Sequence, residues 1–171
     1  MGLVQDFLNT ADIESETDLV ATPADLGAWL AKKGLVPAAG KISVAEHARS
    51  LELRERLRDA LDAITHGTSP RAAFARLNQI ADQVPLRLRF GDAAHLEPAR
   101  RDAPALGPIL ATVYDALSDD ALVRLKVCRN EACRWAFYDT SRNRSGVWCT
   151  MAICGNRQKG RVYRRRHAAD Q

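Results

Sequence analysis

The sequence predicts an α+β protein: a mainly helical N-terminal domain with one small β-hairpin, then a C-terminal four-cysteine zinc finger made of a hairpin followed by a basic helix. Three observations predict this. Residues 22–81 carry helical apolar spacing behind clear capping signals, and residues 85–100 switch to the period-two alternation of strands. The four cysteines of the 171-residue chain all fall in its last third, spaced C-x4-C-x15-C-x4-C.

Thr22-Pro23-Ala24-Asp25 supplies a capping hydroxyl, a proline at the first helical position and an acidic third position. The helix it opens runs through Leu26, Trp29 and Leu30 to a stop at Gly34. Ser43-Val44-Ala45-Glu46 is a second capping box; behind it Leu53, Leu57, Ala60, Leu61 and Ile64 recur at helical spacing, and Gly67 ends the run. Ser69-Pro70 opens a third helix with Phe74, Leu77, Ile80 and Ala81 on one stripe. Pro85 to Phe90 alternates apolar and basic, Gly91-Asp92 offers a turn, and His95 to Arg100 forms the return strand. From Pro104 the helical period resumes through Leu106, Ile109, Leu110, Val113 and Leu117, until Ser118-Asp119-Asp120 breaks it. The boundary between body and tail is expected near Asp119–Arg124, giving domains at 1–122 and 123–171.

The composition, 46% apolar and 27% charged, is that of a soluble globular chain. No apolar run of about 18 residues offers a membrane span, and Met1–Thr10 lacks the basic and apolar regions of a secretory signal. A cytoplasmic location is expected. In a reducing compartment, paired cysteines serve as metal ligands or redox groups more often than as disulfides. Neither pair has the C-x-x-C spacing of catalytic dithiols. Four thiolates close the tetrahedral shell that a catalytic zinc would leave open, so Cys128, Cys133, Cys149 and Cys154 are expected to hold one structural Zn2+. Val123–Val127 and Trp135–Tyr138 read as the two arms of a hairpin around the first pair. Cys149 and Cys154 would stand about 500° apart on an ideal helix. An irregular turn over Cys149–Ile153 is therefore expected, with a regular helix from Cys154 or Asn156 towards His167. Arg129, Arg134 and Arg157 lie where they would moderate the charge of the zinc thiolates.

Charge is unevenly placed. Residues 124–171 hold 12 Lys and Arg against 3 Asp and Glu, whereas the preceding 123 residues hold 13 against 18. A basic tail on an acidic body points to a polyanion. Arg157, Arg161, Arg164 and Arg165 share one helical face, Lys159 and Arg166 flank it, and Arg142 and Arg144 sit in the preceding loop. This array suits phosphates, so a nucleic acid, DNA first, is the expected partner. The alternative is a zinc-dependent module for RNA or an acidic protein, without sequence-specific DNA binding. Trp135, Trp148 and Tyr163 either stack on bases or pack over the metal, and Asn143 and Asn156 either read base edges or cap turns. The helix lacks an apolar face wide enough for a membrane. Asp6, Asn9, His47, His66 and His95 share no catalytic spacing, and each reads as a cap, a surface group or a core hydrogen-bonding residue. No catalytic residue is expected, and the chain is not expected to be an enzyme.

Cys154-Gly155-Asn156-Arg157 with Lys159, preceded by Trp148-Cys149-Thr150-Met151, resembles the CGNR zinc finger. The resemblance extends back through Phe137, Tyr138, Asp139, Ser141 and Arg142 to Cys128 and Cys133, covering roughly residues 123–166. Asp6-Phe7-Leu8-Asn9-Thr10 resembles the opening motif of the ABATE domain. The resemblance implies a bacterial transcription regulator that carries zinc on its four cysteines and binds DNA through a C-terminal finger. It also implies an N-terminal alpha-beta module that senses a small-molecule effector or forms a homodimer, with Asp6 and Asn9 as candidate ligand-binding residues.

Overall fold

The computed structural model describes residues 2–36, 41–99, 105–118 and 124–168. It opens with a helix that no sequence pattern announced, α1 (Gly2–Leu8). Seven residues are too few for a periodic signal; the helix is held by burying Val4, Phe7 and Leu8. Two short antiparallel strands follow, β1 (Ala11–Asp12) and β2 (Thr17–Asp18), equally unannounced.

The next two helices start as expected. In α2 (Pro23–Lys32) the Asp25 N–H donates to the Thr22 hydroxyl and the Asp25 carboxylate accepts from the Thr22 N–H. Ser43 and Glu46 repeat that reciprocal cap on α3 (Val44–His66), a helix of 23 residues. Gly34 and Gly67 terminate them with φ of 71° and 70°, backbone that favours glycine. After Pro70 comes α4 (Arg71–Ala81), without a side-chain cap. Strands β3 (Leu86–Phe90) and β4 (Ala94–Pro98) form the expected hairpin, with Leu88 opposite Leu96. On its other face Arg87 and Arg89 both donate to Glu97, at 2.7 and 2.8 Å. Helix α5 (Leu106–Ser118) follows. The expected strand end at Arg100, helix start at Pro104, break at Asp119-Asp120 and most of the boundary at Asp119–Arg124 lie outside the described residues.

The core is built around α3. Leu53, Leu57 and Leu61 pack with Val4, Phe7 and Leu8 of α1, Leu26 and Leu30 of α2, and Ile109 of α5. The same core takes in the cysteine-flanking hairpin, β5 (Leu125–Val127) and β6 (Ala136–Tyr138), because Leu125, Val127 and Ala136 are fully buried in it. Beyond the hairpin, a single π-helical turn (Met151–Gly155) runs into α6 (Asn156–Ala168). The irregular turn expected over Cys149–Ile153 is set two residues later, and the regular helix starts at Asn156 as the cysteine spacing predicts. None of the described helices is long and apolar enough to cross a membrane.

Candidate metal centre and nucleic-acid interface

Helix α3 holds the segment that presents the first cysteine pair. The Thr65 hydroxyl accepts from the Val127 N–H at 3.2 Å, and the Thr65 carbonyl accepts from the Arg129 guanidinium at 2.9 Å. Nearly two turns back, Asp59 takes Arg134 at 3.0 Å. The deepest tie is Arg58, wholly buried, whose guanidinium donates to the Leu8 carbonyl of α1 at 2.6 Å and to the Arg134 carbonyl at 2.7 Å. Between these holds the chain reverses tightly. The Cys133 and Arg134 N–H groups both donate to the Asn130 carbonyl, and Arg134 adopts φ of 47°.

The loop leading to the second pair is locked by a buried ion pair. The Lys126 ammonium donates to Asp139 at 2.7 Å and to the carbonyls of Arg144 and Gly146. The Asp139 carboxylate also accepts from the N–H groups of Ser141 and Gly146, both at 2.9 Å. Burial alone would raise the Asp139 pKa, but Lys126 and these N–H donors outweigh it and hold the carboxyl well below the usual carboxylate range. Gly146 is required by proximity: a Cβ there would stand 2.8 Å from an Asp139 oxygen.

These elements deliver four sulfurs to one point. All four Sγ atoms of Cys128, Cys133, Cys149 and Cys154 lie within 4.8 Å of one another. A tetrahedral zinc with bonds of about 2.3 Å sets its sulfurs about 3.8 Å apart. The Cys133–Cys149 and Cys149–Cys154 separations are both 3.7 Å, far beyond the roughly 2.05 Å of a disulfide. The donor chemistry agrees. Burial pushes the Cys133 thiol up to about 11 and raises the Cys149 thiol too. Cys154 is lowered against its burial by the Asn130 amide, which donates to its sulfur at 3.6 Å, and by the neighbouring cysteines. Cys133 and Cys149, which resist ionising on their own, become favourable thiolates beside a divalent cation. The chain is thus arranged to bind one structural Zn2+ through four cysteines. Trp135 and Trp148 pack against the cluster, the core role open to them from sequence.

The predicted phosphate-binding residues divide. Arg142, Arg144, Arg157, Lys159, Arg161, Arg164 and Arg165 are all exposed. Arg157, however, donates to Glu14 of the β1–β2 connection at 2.6 Å, and Arg129 and Arg134 are likewise tied to the body. Arg161, Arg164 and Arg165 converge with Arg129, His66 and Gln158 on one cleft of about 690 Å³, edged by Trp148 and Glu131. Sequence reasoning missed Arg129 and His66 as members of this surface, since only folding brings the end of α3 opposite α6. Asn156 caps a turn by donating to the Ala152 carbonyl, and the exposed Tyr163 ring lies 4.2 Å from His167.

The candidate ligand residues of the N-terminal motif have structural partners. Asp6 pairs with Lys33. Asn9 accepts from the Ala136 N–H and donates to the Ala136 carbonyl, both at 2.8 Å, clasping α1 to β6. His47 contacts the Val20 carbonyl at 2.8 Å, His66 the Asp62 carbonyl at 2.9 Å, and His95 the Ala93 carbonyl at 3.4 Å.

Residues 124–167 match the family model of the CGNR zinc finger. Residues 2–120 match the ABATE family model, described as "Putative stress-induced transcription regulator". A comparison with curated proteins finds no match.

Proposed function

This chain belongs to the ABATE family and carries a C-terminal CGNR zinc finger, and from that premise we propose that it is a cytoplasmic DNA-binding transcription regulator. In this reading the zinc is structural, since four thiolates complete its shell, and no residue is catalytic. Its task is to fix the π turn and so the direction of α6. The observation that carries the proposal is the convergence of Arg161, Arg164 and Arg165 with Arg129 on one concave surface beside the metal centre. Four guanidiniums on one surface give strong, salt-sensitive attraction to a phosphate backbone. The distribution of the body's ties supports it as well. Arg58, Arg129, Arg134 and Arg157 are bonded to the body, leaving Arg161, Arg164 and Arg165 on the exposed wall of the cleft.

Fluorescence anisotropy tests the proposal. The zinc-loaded chain is titrated against a labelled duplex at low salt, with unlabelled duplex, structured RNA and polyglutamate as competitors. Duplex DNA should compete best. Displacement by structured RNA at tenfold lower concentration would favour an RNA module, and polyglutamate would displace best if the cleft served an acidic protein.

A further inference from the structure

Among the described residues an apolar concavity lies in the helical body, away from the metal and the basic cleft. Between α1, α3, α4, α5 and the β3–β4 hairpin the described residues line a half-open cavity of about 680 Å³. Leu57, Leu61, Leu77, Leu96, Leu110 and Val113 form much of its wall. Asn78 and Tyr114 are the polar side chains of the lining, and both are exposed, so they stand at the mouth. Phe74 and Ile64 extend the apolar rim to the surface, at 42% and 40% exposure. Among the described residues, no charged side chain lines it.

We propose that this cavity binds a small, uncharged, predominantly apolar molecule carrying at most one or two hydrogen-bonding groups. The volume lies within the range of small-molecule sites, and apolar walls with a few polar groups are their usual make-up. Water there finds polar partners only at the mouth, so an apolar occupant displaces it favourably. The lining also sets the charge class. A carboxylate or phosphate drawn inside would lose hydration with no Lys, Arg or His in the lining to receive it, which disfavours a charged occupant. The site is separate from Asp6 and Asn9, neither of which lines it. Its position is informative as well. Leu57, Leu61 and Ile64 line the cavity, while Arg58 and Thr65, about 90° further round α3, hold the cysteine knuckle. The inference does not depend on DNA binding.

The test uses N-phenyl-1-naphthylamine, a neutral fluorescent probe, titrated into the zinc-loaded full chain. Wild type should give saturable one-to-one binding. Asn78→Asp, which places a charge at the mouth, and Ala81→Trp, which fills the cavity, should each raise Kd at least tenfold with an unchanged circular dichroism spectrum. Gln79→Glu, beside Asn78 on α4 but outside the lining, should stay within twofold. The anionic 8-anilinonaphthalene-1-sulfonate should bind at least tenfold more weakly. If one of the two cavity variants fails to fold, the other decides. No saturable binding, or binding indifferent to the folded variants, overturns the proposal. So does a dimer by sedimentation that excludes the probe and that Asn78→Asp dissociates, which would assign the cavity to a second copy of the chain.

Discussion

Arg58→Met is the sharpest probe of how the metal centre is fastened. Arg58 is the bulkiest of the fully buried side chains, and its guanidinium joins three segments: the end of α1 through Leu8, the knuckle through Arg134, and Glu55 of its own helix at 3.2 Å. Burial lowers its pKa, but an arginine stays charged. Methionine keeps most of the apolar stem and strands two buried carbonyls. Each charge-assisted bond is worth about 1.5–3 kcal/mol, so the gross loss is about 3–6 kcal/mol. Relief from burying a charge offsets part of that, leaving about 2–4 kcal/mol net. Urea unfolding of the zinc-loaded chain should show this loss at unchanged slope. Arg49→Met, on the exposed side of α3, should stay within about 0.5 kcal/mol. Because Arg58 fixes the Arg134 carbonyl at the end of the turn that carries Cys128 and Cys133, zinc affinity measured against a chelating dye should fall by about one to two orders of magnitude, the worth of one such bond. A stability loss under about 1 kcal/mol, with zinc affinity unchanged, would refute the view that α3 holds the knuckle through this side chain.

Zinc removal should be local rather than global. Since Leu125, Val127 and Ala136 sit in the main core, a chelator should abolish the helical signal of the 13-residue α6 and leave a cooperative transition for the body; complete unfolding would contradict this. Zinc content should be one per chain, and Cys154→Ser should lower affinity by orders of magnitude. Asp139→Asn tests the loop lock by its pH dependence. The folded carboxyl titrates below its unfolded value, so its contribution is present above about pH 4 and is lost as pH falls towards the depressed folded value. The stability difference between wild type and Asp139→Asn should therefore shrink below pH 4, with zinc release common to both; a difference flat across that range contradicts the lock. Gly146→Ala should cost about 1–3 kcal/mol, because its Cβ meets a carboxylate pinned by Lys126 and cannot push it aside; a neutral substitution would show that Asp139 is free to move.

Local chemistry was the legible part of this chain. Thr22 and Asp25, Ser43 and Glu46, and Gly34 and Gly67 act through neighbours a few residues away, so their signals survive in sequence and the caps form where they predict. The cysteine spacing worked for the same reason: the mismatch of Cys149 and Cys154 with a regular helix is resolved by the π turn. What failed to show was tertiary. In Leu-Glu-Leu-Arg-Glu-Arg-Leu-Arg, residues 51–58, the arginines look alike. Yet Arg54 and Arg58 are buried against Asp18, Thr10, Leu8 and Arg134, while Arg56 remains partly exposed. Asn9 reads as a ligand residue or a turn former, and only the docking of β6 makes it a clasp. Arg157 shares an ideal helical face with Arg161, yet Glu14, 143 residues away, claims it.

The central claim is that the metal centre aims the cleft arginines at a phosphate backbone. The slope of log affinity against log salt for a duplex measures it most directly, taken for wild type and for the Arg161→Ala, Arg165→Ala double variant. Each phosphate contact contributes about 0.9 to the slope on duplex DNA, so removing two should flatten it by about 2 while leaving zinc content at one per chain. An unchanged slope in a folded, zinc-loaded double variant would contradict the account.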